Sequence, residues 1–151
     1  MASAEHDLRV INSLIETTID SVDGYREAAR EARIPTLRTL FERRASERQA
    51  VVAALQAFVV SKGGKPQDDG TVLAAAHRVF VDLRSALDNG DEAVVKEVER
   101  GEDHIKRKYG DALKDIELTP AARDAIENAY ASVKRGHDEM SRLKQGFEGL
   151  G

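Results

Sequence analysis

The sequence predicts an all-α protein in which four long helices run up-down-down-up as a bundle, with a short crossover helix over about residues 71–88 between the second and third. Three observations carry that expectation. Apolar residues recur at alternating intervals of three and four along most of the 151 residues, which paints one stripe on a 3.6-residue helix. Helix breakers punctuate these runs at Ile34-Pro35, Gly63-Gly64 with the 65–70 linker, Asn89-Gly90 and Thr119-Pro120. Aromatic residues make up 5%, Trp is absent and charged residues reach 33%, a balance that suits Ala-rich helical bundles and not sheets.

The first stripe runs Leu8, Ile11, Ile15, Thr18, Val22, Tyr25, Ala29 and Ala32. It stops at Ile34, because a residue preceding Pro avoids the helical region, and Pro35 suits the first turn of the next helix. The second carries Leu37, Phe41, Arg44, Arg48, Val51, Leu55 and Val59 and ends at Gly63-Gly64, where a left-handed cap costs glycine little. So tight a join makes the pair antiparallel. A polar linker, 65–70, leads to the crossover, with Leu73, Ala76, Phe80, Leu83 and Leu87. Asp91 reads as the N-cap of a helix bearing Val94, Val98, Glu102, Ile105, Tyr109, Leu113 and Ile116. Thr119-Pro120 opens the last, with Ala122, Ile126, Ala129, Val133, His137, Met140 and Phe147. One domain over 1–151 is expected, ordered from about 5 to 147, with a five-helix up-and-down array as the alternative topology.

A net charge of −4 with interspersed signs provides no electrostatic footprint for nucleic acid. The opening MASAEHDLRV has no signal-peptide pattern, and no segment reaches membrane-spanning length. The absence of Cys removes disulfides, thiolate metal sites and thiol nucleophiles. A cytoplasmic location is the expectation.

Four stretches, VINSLIETTIDSVDGYREAA, FERRASER, HRVFVDLRSAL and ERGEDHIKRKYGDAL, resemble an uncharacterised, mainly proteobacterial family of ferritin-like four-helix bundles, a domain of unknown function. The similarity spans about residues 8 to 145, and Phe80 stands where the family more often has Trp. The resemblance implies the ferritin-like fold, no established activity, and an association with stress responses.

A ferritin-like di-iron centre needs a Glu from each of two helices and a Glu-x-x-His from each of the other two. The chain does not contain that motif. Glu47 is followed at the third place by Ala50, Glu127 by Tyr130, and His137 is preceded by Lys134. On the first helix Glu16, Asp20, Asp23 and Glu27 fall opposite the apolar stripe, toward water. Turn counting instead brings Thr18, Arg48, Glu102 and the Val133–His137 turn to one mid-bundle height, with Arg44 and Tyr25 about a turn above. Arg48 and Glu102 occupy places the period reserves for apolar residues, so a buried ion pair between them is expected. The bland alternative is that Arg44 and Arg48 snorkel to water.

Gly101 and Gly136, each mid-helix and near that height, suggest close helix approach or a small bulge, with a backbone-lined ligand pocket as the alternative. Tyr25, Tyr109 and Tyr130 read as core aromatics whose hydroxyls join the polar layer. His137 reads as a satisfied core or boundary imidazole, with a ligand or proton carrier as the alternative, His6 as solvated, His104 as exposed and His77 as lying at the edge of the crossover stripe.

No catalytic constellation stands out and no cofactor is expected. The leading functional reading is a non-catalytic bundle working through packing, either as a homo-oligomer or with a protein partner. Val10 and Leu14 widen the first apolar face toward the crossover or a second copy. The rival is an iron oxidase or storage protein on a divergent site of Glu47, Glu102, Asp103 and His137.

Overall fold

The computed structural model describes residues 3–70 and 90–150, with side chains as far as Phe147. Four helices account for most of them: α1 (Ala4–Glu31), α2 (Pro35–Ser61), α3 (Asp91–Leu113) and α4 (Pro120–Leu150). No strand occurs among the described residues. The crossover expected over 71–88, with His77 and Phe80, lies outside them.

Each helix is bounded by the chemistry of its ends. Ser3 opens α1, its Oγ accepting from the His6 amide at 3.1 Å, and Pro35 takes the first position of α2 behind an extended Ile34. At the far end of α2, Gly63 adopts φ +77. Its N–H donates to the Val60 carbonyl while that of Gly64 donates to Val59, the paired bonds of a Schellman ending. Thr119 Oγ1 accepts from the Ala122 amide at the start of α4.

Two corners of the bundle are clasped by aspartates from neighbouring helices. Asp91 accepts from the Arg33 and Ile34 amides at 2.7 Å each, tying the start of α3 to the α1–α2 join. Asp7 accepts from the Thr119 amide at 3.1 Å and from its hydroxyl, tying the start of α1 to the α3–α4 join. Asp91 is therefore not an N-cap. Gly90, at φ +60, holds that position, and the carboxylate is spent on the corner.

These links run α1 antiparallel to α3, and the ion pairs of Arg43 and Arg44 with Glu139 set α2 beside α4. The helices α2 and α3 face each other across the bundle diagonal. This is the up-down-down-up arrangement.

The core divides into two apolar halves. One gathers Ile11, Ile15, Leu55, Ile105, Tyr109, Ile126 and Val133; the other gathers Tyr25, Phe41, Ala45, Val94, Val95 and Met140. Each fully buried Ile or Leu contributes about 1.5–3 kcal/mol relative to exposure. Leu14 is buried within the first half and Val10, partly buried, packs against it.

Two expectations at the periphery need correction. Ile116 is 93% exposed, because α3 ends at Leu113 and the turn that follows buries Leu118 in its place. The acids of α1 do not face open water. Glu27 is buried and pairs with Arg30, while Glu16, Asp20 and Asp23 are half-buried. The linker lies against two of them: Gln67 bonds Asn12 and reaches Glu16, and Gly70 abuts Asp20.

Candidate functional site

Between the two apolar halves lies a polar layer. Arg48 on α2 and Glu102 on α3 face each other across the diagonal, Nη1 to Oε1 at 2.7 Å and Nη2 to Oε2 at 2.9 Å. Both side chains are 2% exposed. The paired geometry uses the planar fork of arginine to bind both carboxylate oxygens. Nη1 also donates to Ser21 Oγ at 2.7 Å, and the guanidinium lies 5.5 Å from the Tyr25 ring centroid, within cation–π range. Burial acts to lower the Arg48 pKa, but the bond to Glu102 and its charge outweigh it and raise the value. The arginine stays charged.

Gly136 explains how the fork fits. A Cβ there would come within 2.5 Å of Arg48 Nη2 and 3.0 Å of Glu102 Oε2, so the absence of a side chain on α4 makes the space that the ion pair fills. Gly101 is different. A Cβ there would meet nothing within 4 Å, and the residue lines an open groove of about 640 Å³ between α1 and α3, with Gly24 and Tyr25. Close helix approach is thus the wrong reason for Gly101.

The remaining residues of the expected layer separate. Thr18 Oγ1 donates to the Leu14 carbonyl at 2.6 Å and, its one hydrogen used there, accepts from the Tyr109 hydroxyl at 2.7 Å. Burial pushes the Tyr109 phenol up to about 12. Tyr25 is buried, and its hydroxyl meets full hydrogen-bond geometry with no partner among the described residues; burial and then the negative charge of nearby Glu102 push its phenol well above the ordinary value. Tyr130 is half-buried and stacks on Tyr109 at 6.3 Å. The expectation that all three hydroxyls join one network holds for Tyr109 alone.

Arg44 sits at the edge and not inside. Its Nε donates to Glu139 Oε1 and its Nη1 to Glu47 Oε2, both at 2.7 Å, which fixes exposed Glu47 on the outer side of α2. Burial works to raise the Glu139 pKa, but bonds from Arg44 and Arg43 dominate and lower it.

His137 also leaves the layer. It points into the α3–α4 groove, with Nε2 2.6 Å from Asp103 Oδ1 and Nδ1 3.3 Å from Asp138 Oδ1. The bond from His137 is the main cause of a lowered Asp138 pKa. His6, expected in solvent, is half-buried with Nε2 2.6 Å from Asp115 Oδ2.

These positions do not fit a di-iron centre. Both oxygens of Glu102 are engaged by Arg48, Glu47 is bonded to Arg44 on another face, and Asp103 with His137 lies off the axis. The four candidate ligands do not converge. Sequence reasoning missed Ser21 and Glu99. Ser21 follows Thr18 by three and precedes Tyr25 by four, which places it on the stripe; Glu99 precedes Asp103 by four, the spacing of a shared helix face.

A family model described as Domain of unknown function (DUF2383) matches residues 7–115. The chain belongs to that family. No curated protein matches this DUF2383 chain. Among solved structures it is similar to a two-domain protein of Anabaena variabilis ATCC 29413 that contains DJ-1/ThiJ/PfpI-like and ferritin-like domains. The TM-score is 0.77 at 12% identity, over 99% of this chain and 39% of that one. The DUF2383 chain spans well under half of that protein's length and has the ferritin-like fold.

Proposed function

We propose that this DUF2383 bundle is non-catalytic and acts through packing and protein interaction. The observation that carries the reading is the bidentate Arg48–Glu102 pair, which fills the mid-bundle position with a matched charge and leaves neither partner free to bind substrate or metal. The interaction half draws support from a groove of about 690 Å³ between α2 and α4, walled by Ala50, Ala54, Ala57 and Ala129. Small side chains let another helix approach closely. A cytoplasmic location suits a chain without Cys. The stress association rests on the family resemblance alone.

The rival reading, iron oxidation or storage on Glu47, Glu102, Asp103 and His137, requires a centre that turns Fe(II) over. Untagged protein titrated anaerobically with Fe(II) and then exposed to oxygen separates the two. The expected outcome is no oxygen-dependent diferric absorption; rapid oxidation of two iron ions per chain would overturn the proposal. Light scattering across a concentration series tests self-association, and capture from stressed cells tests a heterologous partner.

A further inference from the structure

We propose that Glu99, Asp103 and His137 form a binding site for a single first-row divalent cation in the groove between α3 and α4. One ligand atom from each lies within 4.8 Å of the others. Glu99 and Asp103 are four residues apart on α3 and so share a face, and His137 reaches them from antiparallel α4. The Glu99 and His137 side chains are only 11% and 13% exposed, whereas that of Asp103 is 48% exposed. Two ligands are held by packing and the third can swing in from solvent, which provides an entry path.

The histidine supplies the second argument. Both ring nitrogens face carboxylates, but a neutral imidazole has one N–H. With that hydrogen on Nδ1 donating to Asp138, Nε2 and Asp103 Oδ1 are two acceptors 2.6 Å apart. In that tautomer a positive charge between or beside them makes the contact favourable; in the other, Nε2–H donates to Asp103 directly. A proton fills the role, and so does a metal ion, for which a carboxylate behind the distal nitrogen is the usual orienting partner.

An imidazole with two carboxylates suits zinc, manganese, cobalt or ferrous iron better than the all-oxygen shells of magnesium and calcium. Bonds of about 2.0–2.2 Å require Nε2 and Oδ1 to move apart by less than about 1 Å, within the rotation open to exposed Asp103. Lys144 Nζ, 3.4 Å from Glu99 Oε2, is the resident competitor, and its long stem lets it withdraw. The other cluster of this kind, His6, Asp115 and Glu117, is less suited. Asp115 Oδ1 already accepts from the Glu117 amide, and the Arg123 guanidinium bonds the Asp115 carbonyl, placing a fixed cation beside it.

The test is titration of the full untagged chain with Co(II), read by calorimetry and visible absorption, followed by displacement with Zn(II) watched through histidine ring nitrogens by NMR. The expected result is one ion per chain and a shift of His137 Nε2. His137→Ala and Asp103→Asn should each weaken binding by more than about tenfold, and Asp138→Asn by roughly 10–100-fold, with His6→Ala unchanged. Circular dichroism of each variant verifies the fold. No stoichiometric Co(II) binding by the parent chain overturns the proposal, as does binding that survives His137→Ala intact or is lost in His6→Ala. One cation bound without oxygen chemistry leaves the non-catalytic reading in place, so the two proposals fail separately.

Discussion

Arg48 and Glu102 surrender nearly all their hydration, and the Coulombic return on a buried pair seldom exceeds that loss. Its contribution is arrangement: the fork reaches both oxygens only when α2 and α3 hold one register across the diagonal. Glu102→Ala strands a guanidinium in the core and should cost about 3–5 kcal/mol in urea unfolding. Glu16→Ala, which removes only a 3.5 Å contact with Gln67, should stay within about 0.5 kcal/mol. Replacing both partners together, as Arg48→Met with Glu102→Leu, should be far milder than either single loss. The glycines offer a second contrast. Alanine improves a helix interior by about 1 kcal/mol over glycine, so Gly101→Ala, facing open space, should raise the unfolding midpoint. Gly136→Ala should lower it, because the new methyl collides with a guanidinium that cannot retreat without breaking its bonds. Equal gains at both sites would show that the ion pair is not held where described.

At the scale of elements, the aspartate clasps carry the helix order. Hydrogen bonds to a charged acceptor are worth about 1.5–3 kcal/mol, and Asp91→Ala frees two partly buried amides at the α1–α2 corner. The expected loss is about 2–4 kcal/mol on that basis, with faster amide exchange at Arg33 and Ile34 as the local signature. Helix existence was legible from the stripes, from Pro35 and Pro120, and from Gly63. What the sequence could not reveal is how one carboxylate is used. Asp91 satisfies every local criterion for a cap, yet it is drawn to the amides of a corner 57 residues or more away. Ile116 fits the period but falls beyond the point where the chain turns, and periodicity carries no information about such a stop.

Across the whole molecule, titration sets both limits of stability. Glu139, held low by Arg44 and Arg43, favours the folded state above its unfolded pKa and loses that contribution as pH falls through its folded value. The tyrosines act at the other end. Unfolded tyrosine ionises near pH 10, whereas Tyr109 is pushed up to about 12 and Tyr25 is also raised, so their stabilisation is complete below about pH 10 and disappears as the pH climbs through the folded values. Urea midpoints measured from pH 3 to 12 should therefore form a plateau with falling limbs. Arg44→Gln should blunt the acid limb, and Tyr109→Phe the alkaline one. The Arg48–Glu102 contact was readable because two charges occupied apolar positions at matching heights. His137 stands at the boundary and not within that layer, because turn counting fixes height along the axis and not the outward rotation that carries its ring toward Asp103.

The clasps relate the two hairpins to one another. Asp7 in the hairpin of α1 and α2 fastens the bend of the other, and Asp91 in the hairpin of α3 and α4 returns the favour, so each half holds its mate by an aspartate latch. The partners of both latches, Asp7 with Thr119 and Asp91 with Arg33 and Ile34, belong to the hairpins themselves. A chain nicked by protease after Gly70 and before Gly90 should consequently migrate as one particle under native conditions and separate only in denaturant.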